Sequence, residues 1–154
     1  KELFTRDSAE RRPEAFGSGI YSDELSRQTY AKALELAAAK LHQGRSVIID
    51  ASYKRREERL GAAEAAKKWN AGFFVVECRA PEGVVKERLD ARQAAGTDPS
   101  DGRWELYIAQ KADFDPVTEF PENTHLVVDT ARPPEECLEE ALGKIRGFAL
   151  PEAS

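Results

Sequence analysis

Apolar positions along the chain fall into alternating blocks of two kinds. Tyr30, Leu34, Ala37 and Leu41 recur at helical spacing, with Ser22 as N-cap, Asp23 and Glu24 at the positive end of the helix dipole, and Gly44 closing the run. Ser46-Val47-Ile48-Ile49-Asp50 is short, β-branched and continuous, which predicts a strand covered on both faces. From Lys54 to Asn70 the helical period returns, with Leu60, Ala63, Ala66 and Trp69 on the apolar side and Gly72 as terminator. Phe73 to Cys78 reads as a second buried strand. Pro81 sits where a first helical turn accepts proline, and Val84, Val85 and Leu89 give a core stripe to a helix running to about Ala95. Asp98 to Asp101 forms a turn and N-cap before a helix with Trp104, Ile108 and Ala112 on one face, ending near Asp115-Pro116. His125 to Asp129 is a third short strand, and Pro134 to Arg146 a last amphipathic helix. Strands and helices alternating at this spacing predict a layered α/β domain with a parallel sheet and right-handed crossovers.

Composition narrows the class. The 154 residues are 41% hydrophobic with ten glycines, which excludes disorder, collagen and coiled coil and predicts one compact domain over 1–154. With 23 basic and 28 acidic side chains the net charge is −5, so any contact with nucleic acid has to be local. Cys78 and Cys137 have neither CxxC spacing nor a companion histidine and read as reduced thiols. No apolar stretch approaches the roughly 20 residues that span a bilayer, and no secretory leader opens the chain, so a cytoplasmic location without membrane contact is expected. The sequence contains no methionine and starts at Lys1-Glu2-Leu3-Phe4, from which we expect a portion of a longer polypeptide.

Three features carry candidate chemistry, and in parallel sheets ligands gather at the carboxyl ends of the strands. Asp50 closes an apolar strand, where a carboxylate can hold magnesium through water, take a proton from a hydroxyl, or simply start a turn. Lys54, Arg55, Arg56 and Arg59 crowd the first turn of a helix whose dipole they oppose, which fits either an anionic ligand nearby or a solvated, self-paired face. Arg88 and Arg92 lie four apart and lean toward the stripe of Val85 and Leu89. They suit phosphate oxygens, with the polar stretch Gln93 to Asp98 as a flap, or they pack their stems on the core and extend their heads to neighbouring carboxylates. Gly17-Ser18-Gly19 lacks a following Lys-Ser/Thr and reads as a turn; Gly143-Lys144 lies inside the last helix. His42 and His125 support neither a zinc site nor a hydrolytic triad, and Asp113 and Asp115 read as a helix boundary.

Taken together, Gly19-Ile20-Tyr21-Ser22, Gly44 to Ser52, Arg88 with Arg92, Ser100-Asp101 and Val128-Asp129-Thr130 resemble the P-loop kinase group that contains AAA-type predicted kinases, polynucleotide 5′-kinase domains, zeta-toxin kinases and gluconate kinases. The segment Ser52 to Arg56 also looks like the basic turn of gluconate kinases. The resemblance implies an α/β fold, a three-layer P-loop NTPase-like parallel sheet with flanking helices, and ATP-dependent phosphoryl transfer to a hydroxyl of a small molecule, with ATP and Mg2+ as cofactors. It implies catalytic roles for Asp50, Arg88 and Arg92, with Asp50 near the magnesium or the acceptor. Lys54, Arg55, Arg56 and Arg59 fall near the acceptor, and Thr130, Ala131, Arg132 and Pro133 along adenine. The group's Gly-x-x-x-x-Gly-Lys-Ser/Thr loop, its first strand and the segment holding its catalytic base have no counterpart here. The chain therefore reads as the C-terminal portion of such a domain, behind a possible fused upstream domain, and is not expected to bind nucleotide tightly by itself. The group's first strand lies between the strands equivalent to Val47–Asp50 and Phe73–Cys78, whose edges are unpaired without it. A polynucleotide 5′-hydroxyl kinase and a non-catalytic binding module with the same fold are the competing functions.

Overall fold

The computed structural model of this chain describes residues 23–95 and 103–149. The Gly17 to Ser22 motifs, the N-cap at Ser22, the flap beyond Ala95 and the Ser100-Asp101 pair lie outside the described residues. Five helices and two strands follow in the order α1 Asp23–Leu41, α2 Arg56–Lys68, β1 Val75–Arg79, α3 Glu82–Ala95, α4 Trp104–Ala112, β2 His125–Asp129 and α5 Pro134–Ala149.

Helix α1 ends where the sequence predicts, and the cause is visible in its bonds. Gly44 takes φ +72, its N–H reaches the Leu41 carbonyl at 2.9 Å, and the Arg45 N–H reaches Lys40 at 3.1 Å. This left-handed closure satisfies carbonyls that the last turn leaves open. Helix α2 closes in the same way, but at Asn70 (φ +51), with Ala71 N–H on the Ala66 carbonyl at 3.0 Å. Its terminator is therefore Asn70, two residues before the expected Gly72. The two helices run side by side in the same direction. His42 and Trp69 meet at 5.0 Å between ring centroids at their carboxyl ends, and Tyr30 meets Tyr53 at 4.8 Å toward the other.

β1 and β2 pair in parallel, in register from Val75↔His125 to Arg79↔Asp129. Helix α5 packs on β2 and buries Leu126 and Val128, which are 4% and 2% exposed. On the opposite face Glu77 bridges the strands, taking a 2.8 Å bond from His125 Nε2 and a 2.7 Å bond from Arg79 Nε.

The expected strand at Ser46 to Asp50 does not form. The segment is extended, yet it joins no ladder among the described residues, and Ile48 is 94% exposed. A strand needs a neighbour for its N–H and C=O groups, and apolar composition alone does not supply one. Among the described residues the sheet thus has two strands instead of the expected three, so the small parallel sheet and the mixed α/β class are present without a full three-layer sheet.

Candidate functional site

The turn that follows Asp50 is held from both sides. Tyr53 takes φ +41, a left-handed conformation that costs a bulky residue about 1–2 kcal/mol. Its N–H donates to Tyr30 Oη at 3.1 Å, and its carbonyl accepts from Arg59 Nη1 at 2.9 Å. Tyr30 Oη also shares a 3.0 Å bond with Ser52 Oγ. Side chains of α1 and α2 therefore impose the conformation that the residue itself disfavours. The Tyr53 hydroxyl is buried with no hydrogen-bond partner among the described residues, and its pKa is pushed up to about 12, first by burial and then by Tyr30 and Glu58. Asp50 and Ser52 stay exposed at the mouth of this turn.

The cations beyond the turn meet carboxylates of their own chain. Lys54 Nζ lies 2.7 Å from Asp113 Oδ2, and Arg55 Nη2 reaches both Asp113 oxygens at 2.7 and 2.8 Å. Hydrogen bonds from Lys54 in the first place, then from Arg55, hold the Asp113 carboxyl below its ordinary range. Asp115 accepts the Arg56 N–H at 3.0 Å, and Glu58 accepts the Arg55 N–H at 3.2 Å, so the amino end of α2 already carries two carboxylates. Arg59, expected to face an acceptor, points inward instead. Its side chain is 2% exposed and pairs with Glu119, 1% exposed, at 2.5 Å. It also donates to the carbonyls of Tyr53, Lys54 and Pro116 and lies over the Phe114 ring at 5.5 Å. Burial raises the Glu119 pKa, but bonds from Arg59 and from the backbone N–H groups of Glu119 and Thr118 prevail and hold it at about 2.

Arg88 and the loop after β2 come together at the carboxyl end of the sheet. Arg88 Nη2 donates to the Thr130 carbonyl at 2.7 Å, while the Thr130 N–H and hydroxyl donate to the Arg79 carbonyl at 2.7 and 2.9 Å. The loop is further shaped by Ala131 N–H on Asp129 Oδ1 at 2.9 Å, and Arg132 pairs with Glu140 of α5. Pro133 precedes α5, whose first turn places Cys137 Sγ 3.3 Å from the Asp129 carbonyl. Burial, and after it the charge of Asp50, raise the Cys78 pKa. Arg92 sits one turn beyond Arg88 on α3.

The structure thus brings Arg88 to the Thr130 to Pro133 loop at the strand ends, leaves Asp50 exposed at the end of the extended segment before the Tyr53 turn, and ties Lys54, Arg55 and Arg59 to Asp113 and Glu119. Asp113 and Asp115, which looked like a mere helix boundary, are anchors of the basic turn. Glu119 was not visible as a partner, because nothing local in Thr118-Glu119-Phe120 points to a residue 60 positions away. No group of three or more His, Cys, Asp or Glu among the described residues could hold a metal. Asp50 fits magnesium only as a single carboxylate acting through water, as is usual where phosphates complete the sphere.

A protein-family model described as an AAA domain matches residues 3–117. The uncharacterized protein Rv2004c of Mycobacterium tuberculosis (strain H37Rv) is 28% identical over 129 residues, covering 84% of this chain and 24% of the relative. The uncharacterized protein Mb2027c of Mycobacterium bovis matches with the same identity and coverage. The chain spans about a quarter of the length of these relatives. No solved structure matches it.

Proposed function

Because the chain belongs to the AAA domain family, a P-loop, kinase-like group of nucleotide-binding domains, we propose that it forms the acceptor and lid portion of an ATP-dependent phosphotransferase acting on a hydroxyl of a small molecule. The observation that carries this reading is the bond from Arg88 to the Thr130 carbonyl, which sets an arginine against the Thr130 to Pro133 loop at the carboxyl ends of the strands. Phosphoryl transfer rests on positioning and charge stabilisation, and these groups supply both. Asp50 accepts the proton of the attacking hydroxyl, or orients that hydroxyl, from an exposed position beside Ser52. Arg88 and Arg92 face the transferred phosphoryl group, and the carbonyl contact to Thr130 couples Arg88 to the loop that lies along adenine. Lys54 and Arg56 border the acceptor, while Arg59 works from inside by holding the turn. Magnesium, when bound to ATP, would screen the phosphate charge, with Asp50 as its water-bridged ligand.

The phosphate loop and its strand belong, on this reading, to another part of the same polypeptide. The exposed Ile48, the ladder-free segment around it and the single neighbour of β1 among the described residues all favour a strand added between them. Acceptor-dependent ADP release by the full-length protein tests the proposal. Asp50→Asn should lower turnover at least about 100-fold with an unchanged melting temperature. If the full-length protein releases no ADP with any hydroxyl acceptor, the chain is a non-catalytic binding module. The polynucleotide 5′-hydroxyl kinase alternative draws little support from cations that already hold carboxylates.

A further inference from the structure

By its spacing Tyr30 belongs to the apolar stripe of α1, but its hydroxyl serves the turn after Asp50. The ring lies against Tyr53 at 4.8 Å between centroids, and Oη accepts the Tyr53 N–H at 3.1 Å. Among the described residues the other group within hydrogen-bonding distance of Oη is Ser52 Oγ, at 3.0 Å. These two contacts fix the direction of the second bond. Toward the N–H, Oη is an acceptor, so its own proton is available to a partner, and Ser52 Oγ is that partner. A phenolic O–H is also a stronger donor than an alkyl one. Tyr30 therefore donates to Ser52, and the Ser52 proton is turned away from Tyr30, on an exposed residue two positions from Asp50. Arg59 secures the other side of the turn by donating to the Tyr53 carbonyl at 2.9 Å. Tyr53 is held at φ +41 while these bonds are made, and backbone kept against its preference is characteristic of places where a ligand is gripped.

Resting on the phosphotransferase reading, we propose that Tyr30 is a positioning residue for the acceptor: its hydroxyl orients Ser52, and the Ser52 O–H donates to an oxygen of the acceptor compound while Asp50 receives the proton of the attacking hydroxyl. A serine hydroxyl left to itself rotates among several directions. Here the Tyr30 proton occupies one lone pair of Ser52 Oγ and leaves its O–H fewer of them, so part of the ordering is done before the ligand arrives. Lys54 and Arg55 are engaged with Asp113 and Arg59 with Glu119, so a neutral hydroxyl with a directed proton is better placed than these cations to meet the acceptor. Tyr30 itself touches Ser52 and the Tyr53 backbone, and acts on the ligand through them.

The test is acceptor-dependent ADP release by the full-length protein on glycerol, a hexose, its 2-amino derivative and a nucleoside, continued with the compound turned over best. Tyr30→Phe keeps the ring and loses only the hydroxyl. It should raise KM for that compound about tenfold, the size of one neutral hydrogen bond, with kcat and the KM for ATP little changed. Ser52→Ala should raise KM equally, whereas Ser52→Thr, which keeps a hydroxyl, should retain most of the affinity. Tyr30→Phe combined with Ser52→Ala should be no worse than either change alone, because the two remove the same contact. A residue that merely braces the turn would become dispensable once glycine, at ease at φ +41, replaced Tyr53. In a Tyr53→Gly background, then, Tyr30→Phe should still raise the acceptor KM. An unchanged acceptor KM in Tyr30→Phe, losses that multiply in the combined variant, or no effect of Tyr30→Phe in the Tyr53→Gly background overturns the inference and leaves the phosphotransferase reading standing. Absence of ADP release by the unaltered protein with these compounds and a broader panel of hydroxyl acceptors overturns that reading, and this inference with it.

Discussion

Two regions of this chain exchange the roles that their composition suggests. The segment Ser46 to Asp50 is as apolar as any in the sequence, yet it lies extended without a ladder and exposes 94% of Ile48. The segment Lys54 to Arg59 is among the most charged, yet it contains Arg59, whose buried side chain is locked to the equally buried side chain of Glu119. The lesson is that burial follows from partners. The charged segment finds five carboxylate and carbonyl partners between residues 113 and 119, whereas the apolar one finds none among the described residues.

The contrast can be broken most severely at Arg59. Arg59→Ala leaves Glu119 buried without its partner and three carbonyls without a donor, which should cost about 3–5 kcal/mol, read as a fall in melting temperature on the order of 10 °C. Acid should act on the same contact. Glu119 has a folded pKa of about 2 against an ordinary 4.5, so its contribution is complete above pH 4.5 and is lost as the pH falls toward 2. Denaturant titrations across this window should find Glu119→Gln much less stable than the unaltered protein at pH 6 and nearly equal to it at pH 2. A gap that persists at pH 2 would mean that shape, not charge, holds the junction.

A smaller effect sharpens the comparison at Tyr53. Both Tyr53→Ala and Tyr53→Gly lose the ring contact with Tyr30, but only glycine is at ease at φ +41, so Tyr53→Gly should be the more stable of the two by about 1 kcal/mol in urea unfolding. Equal stabilities would show that the clamp from Tyr30 and Arg59 imposes no strain. The smallest effect belongs to the apolar region. In the 154-residue chain Ile48→Ser should change stability by less than about 0.5 kcal/mol, because a side chain already in water loses no packing, whereas a larger loss in the full-length protein would reveal the added strand.

Much of the fold was legible because its signals are local. β2 occupies His125–Asp129 as its run of apolar residues predicts, and α1 stops at Gly44 because a left-handed residue is needed there. The strand expected at Ser46 to Asp50 failed because its apolar run reports a tendency to be covered and says nothing about who does the covering. In the site, Arg88 and Thr130 could be nominated from sequence, but their bond could not, since it joins residues 42 positions apart. Asp113 and Asp115 were dismissed for a related reason. Beside Pro116 they look like ordinary boundary residues, and only the return of the chain past Lys54 gives them partners.

The β1–β2 ladder pairs residues 50 positions apart, and the ion pairs of the basic turn join residues about 60 apart. On a ribosome β1 emerges long before its partner β2. Helices α1 and α2 can dock early, but the Tyr53 turn stays unclamped on its Pro116 and Glu119 side until roughly residue 119 has been made. The sheet waits for residue 129. Synthesis is therefore the stage at which this chain is most open to protease and chaperone, and a pause in translation between Ala95 and Glu119 would lengthen that exposure.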